Sequence, residues 1–176
     1  MAATGTAVNQ EPWAFWRSAD DGDWTQLVEV GLTRNLPYLG KGQYRITPWH
    51  SHRFGADGWG VGFNLDQELG LDRLVAFFRV GIGDDDVVAV ERFVSGGLAL
   101  ERPFGRKDDL ISVGVAWSDP SPGAGLRKET LLEFYYRLKL SASISLTPDL
   151  QIALDPAKNP KNQTLVIGGV RLEMRF

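Results

Sequence analysis

From Leu132 to Leu146 the even positions read Leu132, Phe134, Tyr136, Leu138, Leu140, Ala142, Ile144 and Leu146. The odd positions read Glu133, Tyr135, Arg137, Lys139, Ser141, Ser143 and Ser145. A helix would mix these two sets on every face, whereas a strand sends them to opposite sides. The spacing therefore predicts one strand with an apolar and a polar face. Fifteen residues is long for a globular strand of about five or six. It suits a tilted membrane-crossing strand, which takes ~9–11 residues, with an extension into a loop.

The C-terminus repeats the pattern. Phe176, Met174, Leu172, Val170 and Val166 share one face with Gly168, while Arg175, Glu173, Arg171 and Gly169 share the other. Alternation also marks Trp59–Leu65, Leu74–Val80, Val94–Leu100, Ile111–Trp117 and Leu150–Leu154. Thr25–Leu32 and Gln43–Trp49 are weaker, and Pro48 is expected to end or bulge the latter. About nine strands and no helix result. Thr147-Pro148-Asp149 is expected to be a tight turn and Glu68–Asp72 a short link, while Asp119–Lys128 and Asp155–Gln163 are longer loops. After Trp59, long and short connections are expected to alternate. Residues 1–23 are expected to be a loop or poorly ordered segment, and residues 24–176 a single β region.

Alternation alone fits a soluble barrel with its apolar face inward or a membrane barrel with that face outward. Three features favour lipid. The polar face mixes Ser, Gly and Ala with charges, as a crowded wet lumen requires. Aromatic residues are expected at strand ends, with Trp59, Trp117, Phe134 and Tyr136 near one rim and Phe176 at the other, as interfacial girdles. The chain also closes on an aromatic residue in an alternating strand. Two alternatives stay open: a small closed structural barrel without conductance, and a soluble lipocalin-like binder.

Composition removes other classes. Among 176 residues there is no cysteine, so no disulfide, thiol nucleophile or cysteine-bound metal. Nineteen basic against 22 acidic side chains give a net charge of −3, with no surplus for nucleic acid. The start of the chain lacks the basic and apolar runs of a signal peptide, and no apolar run reaches the ~18 residues of a membrane helix. His50 and His52 could share a strand face, but no third ligand has diagnostic spacing, so they read as loop residues. Asp84–Asp86 lack calcium-loop spacing and read as a solvated loop. Phe93-Val94-Ser95-Gly96-Gly97 lacks the first glycine of a nucleophile elbow. Trp59-Gly60-Val61-Gly62 precedes no helix and so is no phosphate loop. No catalytic residue, cofactor or metal is expected.

Glu133–Gln151, Asp155-Pro156, Gly169-Val170-Arg171-Leu172 and the terminal Phe176 resemble the C-terminal part of OprB-type carbohydrate-selective porins. Glu29–Leu32, Gly42–Arg45 and Phe77–Gly81 resemble that family too. The resemblance implies an all-β, antiparallel transmembrane β-barrel, with about eight to ten strands in this chain as part of a sixteen-stranded barrel. It implies passive diffusion of sugars and small solutes across the bacterial outer membrane, without bond chemistry. Such a chain would be roughly the C-terminal half. Inward-facing Arg79, Arg137, Lys139, Arg171, Glu173 and Tyr135 are the lumen candidates, the charges offering hydrogen bonds to hydroxyls. Phe176, Met174, Leu172 and Val170 would form the signal read by the barrel assembly machinery. Outer-membrane lipid is a further partner, and a homo-oligomer is left open.

Overall fold

Alternating segments of this length can satisfy their backbone only by pairing sideways. The computed structural model, which describes residues 2–4, 24–53, 55–71 and 73–175, shows that pairing throughout. The strands are β1 (Ala2–Thr4), β2 (Trp24–Leu27), β3 (Val30–Leu36), β4 (Gly40–Arg53), β5 (Ala56–Glu68), β6 (Leu74–Gly83), β7 (Val90–Glu101), β8 (Leu110–Pro120), β9 (Glu129–Lys139), β10 (Ile144–Leu154) and β11 (Thr164–Met174). They form one antiparallel sheet in the order β1-β2-β4-β5-β6-β7-β8-β9-β10-β11, with β3 also on β4. β2 and β3 lie end to end along β4, so nine long lanes result. Two short 3-10 turns, Pro103–Gly105 and Pro122–Ala124, are the only helical pieces among the described residues. The described strands do not close into a ring. β11 has no partner beyond β10, and β1 none beyond β2.

Three sequence expectations are corrected. Leu132–Leu146 is not one strand but a hairpin, with β9 ending at Lys139 and β10 starting at Ile144. Ser141 makes the turn, its Oγ accepting the N–H groups of Ser143 and Ile144 at 3.3 and 3.1 Å. Leu138 faces Leu146 and Lys139 faces Ser145, so partners share parity and the alternation passes through the turn unbroken. Thr147-Pro148-Asp149 accordingly lies inside β10, where Pro148 faces Val170.

Pro48 does not end or bulge its strand. Leu27 faces Trp49 and Val30 faces Ile46, so the register runs through without a slip. Proline lacks the N–H that a ladder partner would accept, and this explains why β2 and β3 are separated opposite it. One bond survives, from the Val28 N–H to the Pro48 carbonyl at 3.1 Å. Pro148 interrupts the β9–β10 ladder the same way, between Leu146–Leu138 and Asp149–Tyr135.

Register sorts the side chains into two faces. Leu32, Tyr44, Leu65, Phe78, Gly96, Val115, Leu132, Ile152 and Val166 form one row across all nine lanes. The facing row on the other side reads Thr33, Gln43, Asp66, Phe77, Gly97, Gly114, Glu133, Gln151 and Ile167. Among the described residues nothing packs on the apolar side of this single sheet layer. Among the described residues only Val87 and Ala153 are buried hydrophobics, while Leu140, Leu172 and Met174 are more than half exposed. Their exposure disagrees with the lipocalin-like arrangement, which needs those side chains in a dry interior. An apolar face of this extent is stable only against hydrocarbon.

The connections β3–β4, β5–β6, β7–β8 and β9–β10 lie at one rim with the end of β11, and β4–β5, β6–β7, β8–β9 and β10–β11 at the second rim. The expected alternation of long and short connections holds for 140–143 against 121–128 and 155–163. It fails at 102–109, which is as long as 121–128. The aromatic girdle also differs from expectation. Trp59 and Trp117 are at the second rim, but Phe134 sits mid-strand opposite Val113 and Leu150, and Tyr136 is nearer the first rim. Phe176 lies outside the described residues.

Candidate functional site

The polar face holds the chemistry. Arg45 on β4 and Arg79 on β6 both stand opposite Asn64 on β5. Asp66, two residues along the same face, reaches both. Arg79 Nη2 donates to Asp66 Oδ1 at 2.5 Å, and Arg45 Nη2 donates to Asp66 Oδ2 at 3.3 Å. Arg79 Nη1 also donates to the carbonyls of Leu65 and Phe78 at 2.6 and 2.9 Å, and its guanidinium lies 5.7 Å from the Phe77 ring centroid. The three charged groups are two-thirds buried or nearly so. They form a cationic cluster fixed to the wall, of net charge +1. Arg45 Nε has no hydrogen-bond partner among the described residues.

Above this cluster, towards the second rim, glycines open the wall. Trp49 faces Gly60, and Gly60 faces Gly83. A methyl group at Gly60 would lie 2.2 Å from the Trp49 ring, so only glycine admits the indole there. Gly62 and Gly81, one row away, are uncovered. Trp49, Phe93, Asn64 and Ser118 border an open depression of about 500 Å³ over this floor.

All six lumen candidates lie on the polar face, but not together. Arg79 belongs to the β4–β6 cluster. Tyr135, opposite Ser112 and Asp149, and Arg137, Lys139, Arg171 and Glu173 lie on β9 and β11, towards the first rim. Glu173 accepts from Arg175 Nε at 2.8 Å. Val170, Leu172 and Met174 are on the apolar face, with Val170 72% exposed. Asp66, Arg45 and Trp49 were not singled out from sequence. The alternation that sets Gly60, Gly62, Asn64 and Asp66 on one face of β5 was visible, but which lanes neighbour one another was not. The carboxylates of Asp84, Asp85 and Asp86 gather within 4.8 Å of one another in an exposed loop. His50 and His52, expected in a loop, lie on β4.

Three side chains fasten the rims. Asp109 on the β7–β8 connection has a fully buried carboxylate. It accepts from Tyr136 Oη at 2.7 Å, Arg106 Nε at 2.6 Å and the Lys139 N–H at 2.8 Å. The hydrogen bond from the Tyr136 phenol, with those from Lys139 and Arg106, holds its pKa below the ordinary aspartate value. At the second rim, Arg127 donates to the carbonyls of Pro156, Asn159 and Asn162, while Glu129 accepts the Ala157 N–H at 2.7 Å. Arg127→Ala is expected to free the 155–163 loop, seen as several-fold faster cleavage there by limited proteolysis with the strands unaffected.

The family model described as "Carbohydrate-selective porin, OprB family" matches residues 9–176. Porin AaxA of Chlamydia abortus is 31% identical over 144 residues, covering 76% of this chain and 32% of the relative. Porin AaxA of Chlamydia pneumoniae is 27% identical over 150 residues, covering 78% and 34%. The chain thus spans about a third of the length of these curated relatives. The high-pH structure of Pseudomonas putida OprB superposes with a TM-score of 0.75 at 16% identity, covering 86% of this chain and 48% of that one.

Proposed function

The chain belongs to the OprB family of carbohydrate-selective porins, bacterial outer-membrane channel proteins, and from that premise we propose that it forms part of the wall of a pore passing sugars and other small solutes by diffusion. The observation that carries this reading is the split between faces. The exposed apolar rows suit lipid, and the face bearing Arg45, Asp66, Arg79, Glu133, Arg137 and Arg171 suits water. A channel in this family is no enzyme, and the wall supplies only contacts.

Within the pore, the Arg45–Asp66–Arg79 cluster is the selective element. Both guanidiniums are held by one carboxylate, so their remaining N–H groups are positioned without further loss of side-chain entropy. Neutral polyols can exchange water hydrogen bonds for these donors, and anions are drawn by the excess positive charge. Arg137, Lys139, Arg171, Glu173 and Tyr135 form a second polar patch nearer the first rim. The barrel assembly machinery reads Val170, Leu172, Met174 and Phe176 in this reading. The pore needs wall beyond the nine lanes described, since exposed edges cannot stand in hydrocarbon.

The test is sugar-driven swelling of proteoliposomes containing the assembled porin. Asp66→Ala releases both arginines, and is expected to change the ratio of sugar to chloride permeation by several-fold, towards chloride. Arg79→Ala is expected to shift it the other way. Unchanged ratios in both variants would remove the cluster from selection.

A further inference from the structure

We propose that His50, His52 and Asp57 form a binding site for a divalent transition-metal cation at the second rim, on the apolar side of the wall. His50 and His52 alternate along β4 and so share a face. Asp57 stands directly opposite His52 on β5. Its Oδ1 lies 3.0 Å from His52 Nδ1 and 4.0 Å from His50 Nε2. Ligand atoms bound tetrahedrally to zinc at ~2.0–2.2 Å stand about 3.4 Å apart. The two observed separations bracket that value, so closing around a cation takes side-chain shifts below 1 Å for each of these two pairs, plus a turn bringing the imidazoles together.

The surroundings hold the donors ready. Trp24 on β2 also faces His52. Its ring is 5.0 Å from that of His50 and 6.3 Å from that of His52, the latter nearly parallel at 20°. The strand ladder fixes both backbones, and side-chain exposures of 49, 32 and 66% for His50, His52 and Asp57 leave the donors at the rim uncovered by other described side chains. Two imidazoles and one carboxylate are a borderline-soft set that favours zinc, copper or nickel over calcium or magnesium, and the fourth position is left for water. The Asp84–Asp86 carboxylates on the β6–β7 connection are a hard, all-oxygen group and serve as the contrast.

The test uses the assembled porin in detergent micelles, with its β-rich circular dichroism checked and carrying no histidine tag. Zinc chloride titrated by calorimetry is expected to bind one equivalent at neutral pH. His52→Ala and Asp57→Asn are each expected to weaken it by at least about tenfold. The Asp84→Asn, Asp85→Asn, Asp86→Asn triple variant is expected to leave it unchanged. Copper(II) loaded in place of zinc is expected to show coupling to two nitrogens by electron paramagnetic resonance, reduced to one in His50→Gln. Absence of stoichiometric binding, binding indifferent to His52→Ala, or binding lost only in the triple aspartate variant would each overturn the proposal.

Discussion

Leu150→Arg is expected to destabilise the assembled porin in lipid vesicles by about 2–4 kcal/mol, while Gln151→Arg one residue later changes stability by less than about 0.5 kcal/mol. Leu150 sits near the middle of β10, opposite Phe134 and Gly168, and is 45% exposed on the apolar face. A guanidinium there has hydrocarbon around it and no partner in reach. Gln151 points the other way, opposite Glu133, whose Oε1 accepts from Gln151 Nε2 at 2.9 Å. An arginine in its place exchanges a neutral hydrogen bond for a charged one beside water. Equilibrium unfolding in denaturant, read by intrinsic fluorescence in vesicles, measures both variants. Equal costs for the two would mean that the faces have been assigned the wrong environments.

Asp109→Ala is expected to cost about 2–3 kcal/mol, because three donors lose one buried carboxylate together. Asp109→Asn keeps the size and part of the acceptor capacity, and is expected to recover less than half. The same group ties stability to pH. Its folded pKa is depressed, so the folded state holds the ionised form more strongly than the unfolded chain does. The contribution is complete above the ordinary value of 3.8 and is lost as pH falls through the depressed folded value. The 102–109 connection is therefore expected to open in acid before the strands melt. Hydrogen exchange at Arg102, whose N–H donates to the Asp109 carbonyl at 2.9 Å, reports that opening, and Asp109→Asn is expected to remove its acid dependence.

Which face a side chain takes was legible from sequence almost everywhere, since parity along a strand is a local property. Arg79, Arg137, Lys139, Arg171, Glu173 and Tyr135 all lie on the polar side as parity requires. Strand ends were less legible. A hairpin whose partners share parity leaves no gap in the pattern, so the Leu140–Ser143 turn hid inside an unbroken run of alternation. The prolines misled in the opposite direction. Pro48 and Pro148 each point the missing donor towards one neighbour only, and the other ladder of the same strand continues past them. The polar cluster was the least legible part. Arg45, Asp66 and Arg79 lie on three strands, and their meeting depends on lane order and register, which no single segment encodes. His52 and Asp57 are five apart in sequence, yet they became visible as neighbours only once the β4–β5 hairpin was in place.

The register of the wall, which shifts between Val90 and Arg92 on β7 and runs straight through β10, bears on how such a protein can change over generations. A residue gained or lost in 155–163 or 121–128 alters only a surface flap. The same event inside β10 would turn every later side chain of that strand through half a revolution, setting Gln151 and its fellows in fat and Ile152 and its fellows in the channel. Growth and shrinkage are thereby confined to the two rims, and the heights between them are inherited nearly unchanged in length.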